Sequence, residues 1–361
     1  YGIKPVYYHV TKDKTFIYAS EIKSILEYKD YRSEIDKEAL IEYFTFQNIF
    51  TNKTLHKNIQ ILEAGNFFEV DLLSKNFKKN KYWDFDFSQP EIIKDEREYI
   101  EELERLLAQA VKRQLVSDVP VGSYLSGGMD SGSITSIASN YFQQSNEFLK
   151  TFTVGFDLTN ASGLERSFDE REKAEFMSYK FKTEHYEMVL KSGDMERCLP
   201  KFSYHLEEPR VGQSYPNYYA AQLASKFVKV VLSGVGGDEL FAGYPWRYFK
   251  ASNNKNFNDY IDKYYQFWQR LVPNKEIKNL FSPISDDVKN VWTRDIFKDV
   301  FKNLSIAKTP EDYINHSLYF EAKTFLHGLL VLEDKLSMAH SVETRVPFLD
   351  NDLVDFAQKI P

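Results

Sequence analysis

The sequence predicts an α/β fold: a parallel sheet with flanking helices and a helical C-terminal part, preceded by a smaller α+β region. Three observations predict it. Between residues 99 and 232, short apolar runs alternate with segments of helical spacing, the pattern of parallel strands joined by right-handed crossovers. Eight of the fifteen glycines fall in two windows, 122–132 and 234–243, each opening in or directly after an apolar run. Residues 1–88 instead carry strand-length runs and turns around one helical stretch. Open parallel sheets take ligands beyond the carboxyl ends of their strands, which is where both glycine windows lie.

The elements follow in chain order. Residues 5–10, 15–19 and 65–71 read as strands, and residues 36–46 as a helix with Asp36 as its N-cap. The run Lys75 to Lys81 carries four lysines and reads as a solvated hairpin turn before Tyr82-Trp83-Asp84. Ser88-Gln89-Pro90 marks a linker, which divides the chain into residues 1–88 and 89–361. Tyr99, Ile100, Leu103, Leu106, Leu107, Ala110, Val111 and Leu115 then line one face of a helix. Val119 to Leu125 is a strand entering the first glycine window, and Ile134, Ile137 and Ala138 resume helical spacing. Thr151 to Phe156 is a second strand, Tyr215 to Phe227 a helix, and Phe227 to Leu232 a third strand entering the second window. Residues 250–361 are aromatic-rich and mostly helical in pattern.

Composition narrows the function. With 361 residues, 43% of them hydrophobic, the chain has ample material for packed cores, so general disorder is excluded. A formal charge of −7 argues against a protein that reads a nucleic-acid backbone. Cys198 is the single cysteine, which excludes a disulfide framework or CxxC site and points to a reducing, cytoplasmic setting; no HExxH occurs among the seven histidines. No apolar run approaches the roughly 18 residues of a membrane span.

The first window is Ser126-Gly127-Gly128-Met129-Asp130-Ser131-Gly132. Glycines at a strand-to-helix turn let backbone N–H groups converge, and the helix N-terminus adds about half a positive charge, so the turn is an anion cradle. It is neither a GxxxxGK loop nor GxGxxG. An aspartate there would repel a phosphate unless a cation lay between, so Asp130 points to Mg2+. The bland alternative is a capped turn in which Asp130 and Ser131 satisfy backbone donors. Ser233-Gly234-Val235-Gly236-Gly237-Asp238-Glu239 repeats the arrangement and offers Asp238 as a second oxygen ligand. Lys335 is either a surface lysine on a helix with Leu329, Leu330, Leu332, Leu336 and Met338, or a buried cation facing a reacting phosphate. Glu343 to Asp350 reads as an ion-paired turn.

Together these motifs resemble the glutamine-hydrolysing asparagine synthetases, of the B type, within the ATP-pyrophosphatase superfamily. Ser126 to Ser131 is similar to the superfamily's pyrophosphate loop. Ser233-Gly234-x-Gly236-Gly237-Asp238-Glu239-Leu240-Phe241-Ala242-Gly243-Tyr244, and Lys335 placed ten residues before Arg345 in Glu343-x-Arg345-Val346-Pro347-Phe348-Leu349-Asp350, resemble motifs specific to the synthetases. Tyr1-Gly2-Ile3-Lys4-Pro5-x-Tyr7-Tyr8 and Lys81-Tyr82-Trp83-Asp84 resemble the later half of the family's N-terminal nucleophile glutaminase domain. The resemblance implies an ATP-pyrophosphatase-like fold in 89–361 and ATP-dependent conversion of aspartate to asparagine through an aspartyl-AMP. It implies that Tyr124, Val154, Ser233 and Gly234 hold the nucleotide, that Ser126, Gly127, Gly128, Asp130 and Ser131 cradle the pyrophosphate, and that Asp130 and Asp238 bind Mg2+. Lys335, Asp130 and Tyr244 are its implied catalytic residues. It further implies ammonia drawn from glutamine and a homodimer, with neither nucleic acid nor membrane as a partner.

Two departures qualify that expectation. The family's glutaminase nucleophile is an N-terminal cysteine; none stands at the start of this sequence, so as given the chain is expected not to release ammonia from glutamine, and its C-terminus stops earlier than is usual. Val235 stands where many members carry Glu or Asp, and Glu207-Glu208-Pro209-Arg210-Val211-Gly212-Gln213-Ser214 departs from the common Asp-Pro-Ser pattern nearby. The same chemistry on another carboxylate, such as an amino acid or a sugar acid, is therefore an alternative. A catalytically silent nucleotide-binding partner is another.

Overall fold

The computed structural model describes residues 1–88, 90, 92–159, 169–212, 214–248, 254–305 and 307–361. Gln89, in the expected linker, and Gln213 lie outside the described residues. The chain forms two compact units: Tyr1–Ser88 with Glu207–Gly212 and Tyr244–Val331, and Gln89–Leu206 with Gln213–Gly243 and Leu332–Pro361.

In the first unit β1 (Tyr7–Val10) pairs antiparallel with β2 (Phe16–Ala19) and with β3 (Gln60–Ile61). Two helices separate these strands in sequence, α1 (Ile22–Leu26) and α2 (Lys37–Phe46). α2 starts where its cap requires, with the Asp36 carboxylate accepting the N–H groups of Glu38 and Ala39. β4 (Asn66–Asp71) and β5 (Asn76–Lys81) form a separate hairpin. The lysine run expected as a turn is thus mostly strand: Phe77 packs on Phe16 and Phe68, and Lys78, Lys79 and Lys81 stay solvated. Further on, the helices Phe257–Trp268, Thr293–Asp299 and Pro310–Glu321 bury Tyr260, Tyr264, Trp268, Phe297 and Phe320 with Phe46 of α2. Buried charge here is paired. Arg247 Nη1 donates to Glu321 Oε2 at 2.8 Å and Tyr264 Oη to Glu321 Oε1 at 2.7 Å. Arg210 Nη2 donates to Glu208 Oε1 at 2.6 Å, and the Leu55 N–H to Glu208 Oε2 at 2.8 Å.

The second unit is built on a five-stranded, wholly parallel sheet: β6 (Val121–Tyr124), β7 (Lys150–Phe156), β8 (Glu184–Leu190), β9 (Val230–Leu232) and β10 (Glu343–Arg345), in the order β10-β9-β6-β7-β8. α3 (Glu96–Gln114) and α4 (Met129–Gln144) share one core with Val121, Val230 and Leu232, while Leu223 and Ala224 of a later helix join Phe152 and Val231 in another. That alternation of strand and helix is the predicted α/β architecture. α5 (Arg171–Phe181) connects β7 to β8, followed by α6 (Asp194–Leu206) and α7 (Tyr215–Ala224). Cys198 is buried on α6 beside Leu206, Tyr218, Leu332 and Leu336. The residues expected as an ion-paired turn begin instead as the edge strand β10. Arg345 does pair with Glu343 at 2.8 Å, but its other guanidinium nitrogen donates to the carbonyls of Gln114 and Val116, tying the strand to the end of α3. Among the described residues, no helix is long and apolar enough to cross a membrane.

Candidate active site

β6 and β9 are adjacent and in register at Ser123 and Leu232, so the two glycine-rich turns leave the sheet side by side. The first turn places Gly127 at φ +76°, a left-handed conformation that favours glycine. It ends at Gly128, the N-cap of α4, which offers no side-chain acceptor. The first N–H groups of α4 therefore have no cap there. The serines brace the loop: Ser131 Oγ accepts the Ser126 N–H at 3.1 Å, and Ser126 Oγ accepts the Gly128 N–H at 3.3 Å. As in the bland alternative, Ser131 and Asp130 both accept backbone N–H groups, but Asp130 reaches outside its own turn. It accepts, at 3.1 Å, the N–H of Asp238 from the second turn.

The second window needs its glycines for space more than for φ. A Cβ on Gly237 would stand 2.3 Å from Asp130 Cγ, one on Gly234 would stand 2.9 Å from the Ser131 nitrogen, and one on Gly243 would stand 1.8 Å from Asp238 Oδ1. Among the glycines of that window only Gly236 is left-handed, at φ +105°, and its N–H donates to Glu239 Oε2 at 3.1 Å. Clustering of glycine thus reflects two turns pressed together around two carboxylates. Burial, reinforced by the charge of Asp238, pushes the Asp130 carboxyl up to about 6. No ion pair holds either aspartate among the described residues, and no group of three or more His, Cys, Asp or Glu side chains there is spaced to hold a metal. Two like charges in a tight cleft fit Mg2+, which takes one or two carboxylates and completes its shell with water and phosphate oxygens.

The other sequence-derived residues fall as follows. Lys335 is buried, at 3% exposure, on the helix His327–Met338, so the surface-lysine alternative does not hold. Tyr124 closes β6; burial and the nearby charge of Glu333 push its phenol far up. Val154 lies two residues past the last pairing of β7 with β6. The Ser233 N–H is committed to the Arg345 carbonyl at 2.8 Å, which leaves its carbonyl and hydroxyl for other partners. Val235, half-buried, donates its N–H to Ser233 Oγ at 3.4 Å and brings no charge to the cleft. Tyr244 belongs to the first unit, its ring under the Arg247 guanidinium at 3.7 Å. Sequence reasoning missed Glu333 and Thr344 beside Tyr124, because only the fold brings the helix His327–Met338 and β10 near the end of β6. It also missed the first turn of α5, which packs on Gly127.

A family model described as asparagine synthase matches residues 102–361, and one described as a glutamine amidotransferase domain matches residues 1–83. Asparagine synthetase [glutamine-hydrolyzing] 1 of Bacillus subtilis is 31% identical, the match covering 100% of this chain and 58% of that protein. A Methanocaldococcus jannaschii protein, provisionally named asparagine synthetase [glutamine-hydrolyzing] 2, is 34% identical over 89% of this chain and 58% of its own length. The chain thus spans somewhat over half the length of these relatives. Among solved structures, a U34-tRNA thiolase from Methanococcus maripaludis matches 58% of this chain and 82% of that one at 12% identity and a TM-score of 0.29, too slight a likeness to carry an argument.

Proposed function

Because the chain belongs to the asparagine synthase family, we propose that it activates a carboxylate with ATP and passes it to ammonia, with aspartate as the carboxylate and asparagine as the product. The observation that carries this reading is the meeting of Asp130 and Asp238 between two backbone cradles at the carboxyl ends of adjacent strands. In this reading one oxygen of the aspartate side-chain carboxylate attacks the α-phosphorus, and the bond to the bridging oxygen breaks to release pyrophosphate. Ammonia then adds to the acyl carbon, and AMP leaves with the electron pair of the acyl–oxygen bond while a proton is lost from nitrogen.

The chain's residues take the following parts. Ser126, Gly127, Gly128 and Ser131, with the uncapped start of α4, receive the leaving pyrophosphate, whose charge is favoured by the helix N-terminus. Tyr124, Val154, Ser233 and Gly234 hold the nucleotide. Lys335, taken out of water by burial, stabilises charge that grows on the phosphates, and Tyr244 completes the catalytic set. Asp130 and Asp238 would hold Mg2+, which when bound supplies charge neutralisation along the phosphate chain. Residues 1–88 are read as the later part of a glutaminase-type domain and 89–361 as the synthetase domain. Ammonia from glutamine, a homodimer and a cytoplasmic setting belong to the same proposal.

Val235 favours a second reading, the same chemistry on a different carboxylate, since an apolar side chain stands half-buried in the second cradle. Exchange of labelled pyrophosphate into ATP, measured with a panel of amino and sugar acids, separates the two. Exchange stimulated by aspartate alone supports the first reading, and exchange stimulated by another acid alone supports the second. Absence of exchange with every acid contradicts both.

A further inference from the structure

The first turn of α5 is set against the pyrophosphate loop by two close contacts. A Cβ on Gly127 would stand 2.5 Å from the Cβ of Lys173 and 3.0 Å from the Ala174 nitrogen, and a Cβ on Gly132 would stand 2.9 Å from Met177 Sδ. Lys173 and Met177 are one helical turn apart, so α5 presents one face to the loop and the start of α4 together. The two helices consequently begin side by side at the cradle. Substitution of Gly127 would displace Lys173 before it displaced anything else.

Two cations stand in that turn, and they differ in availability. Arg171 is fully engaged: its Nε donates to Asp169 Oδ1 at 2.9 Å, and its Nη2 donates to Asp169 Oδ2 at 2.6 Å and to the Phe156 carbonyl at 2.8 Å. Lys173 is exposed, and no ion pair to it occurs among the described residues. The acids around it are Glu172, which is exposed, and Glu170, which is half-buried; burial raises the Glu170 carboxyl, and the Lys173 charge draws it back down. Its four-carbon stem is rooted on Gly127 and is long enough to carry the ammonium across the loop.

We propose that Lys173 is a second cationic binding residue for inorganic pyrophosphate and for the β- and γ-phosphates of a nucleoside triphosphate, holding the leaving group from the solvent side of the loop and thereby setting how fast it departs. The proposal rests on the reading of Ser126 to Ser131 as the pyrophosphate loop. A lysine on a flexible stem at the mouth of a cradle suits a group that must grip a departing anion and then let it go, whereas the doubly bonded Arg171 suits holding the end of β7 in place.

Calorimetric titration of the whole chain with magnesium pyrophosphate tests it. Lys173→Ala is expected to weaken binding about tenfold or more, the loss of one charge-assisted contact. Lys173→Arg is expected to stay within about threefold of the unaltered protein, and Lys180→Ala, on the same helix beside Phe176, to leave binding unchanged. In the exchange assay Lys173→Ala should raise the KM of pyrophosphate by the same factor and leave the KM of the carboxylate alone. Binding that survives Lys173→Ala unchanged overturns this proposal alone. Absence of pyrophosphate binding by the unaltered protein overturns the loop assignment and this proposal with it.

Discussion

In the first unit Glu208 faces Arg210, and Glu321 faces Arg247 and Tyr264, whereas in the second unit Asp130 faces Asp238. Glu208 and Glu321 are buried and Asp130 and Asp238 half-buried, yet the first two acids meet a cation within 2.8 Å and Asp130 lies near another acid. A charge buried for structure is neutralised by the fold, because leaving it alone costs several kcal/mol. The like charge of Asp238, added to burial, instead raises the Asp130 carboxyl to about 6. The contrast separates pairs that hold a unit together from a pair whose charge no side chain offsets among the described residues.

Removing one partner from each kind of pair should therefore act on different observables. Arg210→Ala leaves Glu208 buried without its cation and should lower the unfolding free energy by about 3–5 kcal/mol in urea titration. Asp130→Asn, which relieves a repulsion, should leave that quantity unchanged or raise it; an equal loss in both would erase the distinction. Next in size, Lys335→Ala should slow carboxylate-dependent exchange about 10²- to 10³-fold while the far-ultraviolet circular dichroism spectrum is retained.

The first unit also contains a base subject to the same logic. His327, half-buried with its Nε2 enclosed, lies near Arg210 and Lys323, and desolvation followed by those charges lowers it to about 3. Its folded value lies below its unfolded one, so its contribution to stability is complete above about pH 6.5 and falls as the pH drops toward 3, by roughly 1.4 kcal/mol per unit. Urea titrations across that range should show the slope, and His327→Gln should flatten it. The smallest effect concerns the glycines of the cleft. Gly237→Ala should cost about 1–3 kcal/mol of stability by overpacking against Asp130, while Gly212→Ala, whose Cβ would meet nothing within 4 Å, should cost only the strain of its φ of +60°.

Much of this arrangement is legible in the sequence, and the exceptions have physical reasons. The strands β6, β7 and β9 announce themselves as apolar runs because both faces of a central parallel strand are covered. β8 escapes because, at the edge of the sheet, Glu184, His185, Tyr186 and Glu187 keep polar character. β10 escapes because three residues are too few to show a period, and β5 because its three lysines mask the packing of Phe77. Within the site, Asp130 and Asp238 are marked by their place beside glycines at strand ends. That the Asp130 carboxylate accepts the Asp238 N–H across turns 108 residues apart, and that Lys173 is seated on Gly127, are consequences of strand order and helix packing that no local pattern encodes.

The central claim is that Asp130 and Asp238 are completed by a divalent cation brought in with a nucleotide. Calorimetric titration with ATP, with and without Mg2+, of the unaltered chain and of the folded Asp130→Asn, Asp238→Asn double variant, tests it most directly. The expected result is binding by the unaltered chain that depends on Mg2+ and is lost in the double variant. Binding of equal strength in the double variant, or binding indifferent to Mg2+, would contradict the account.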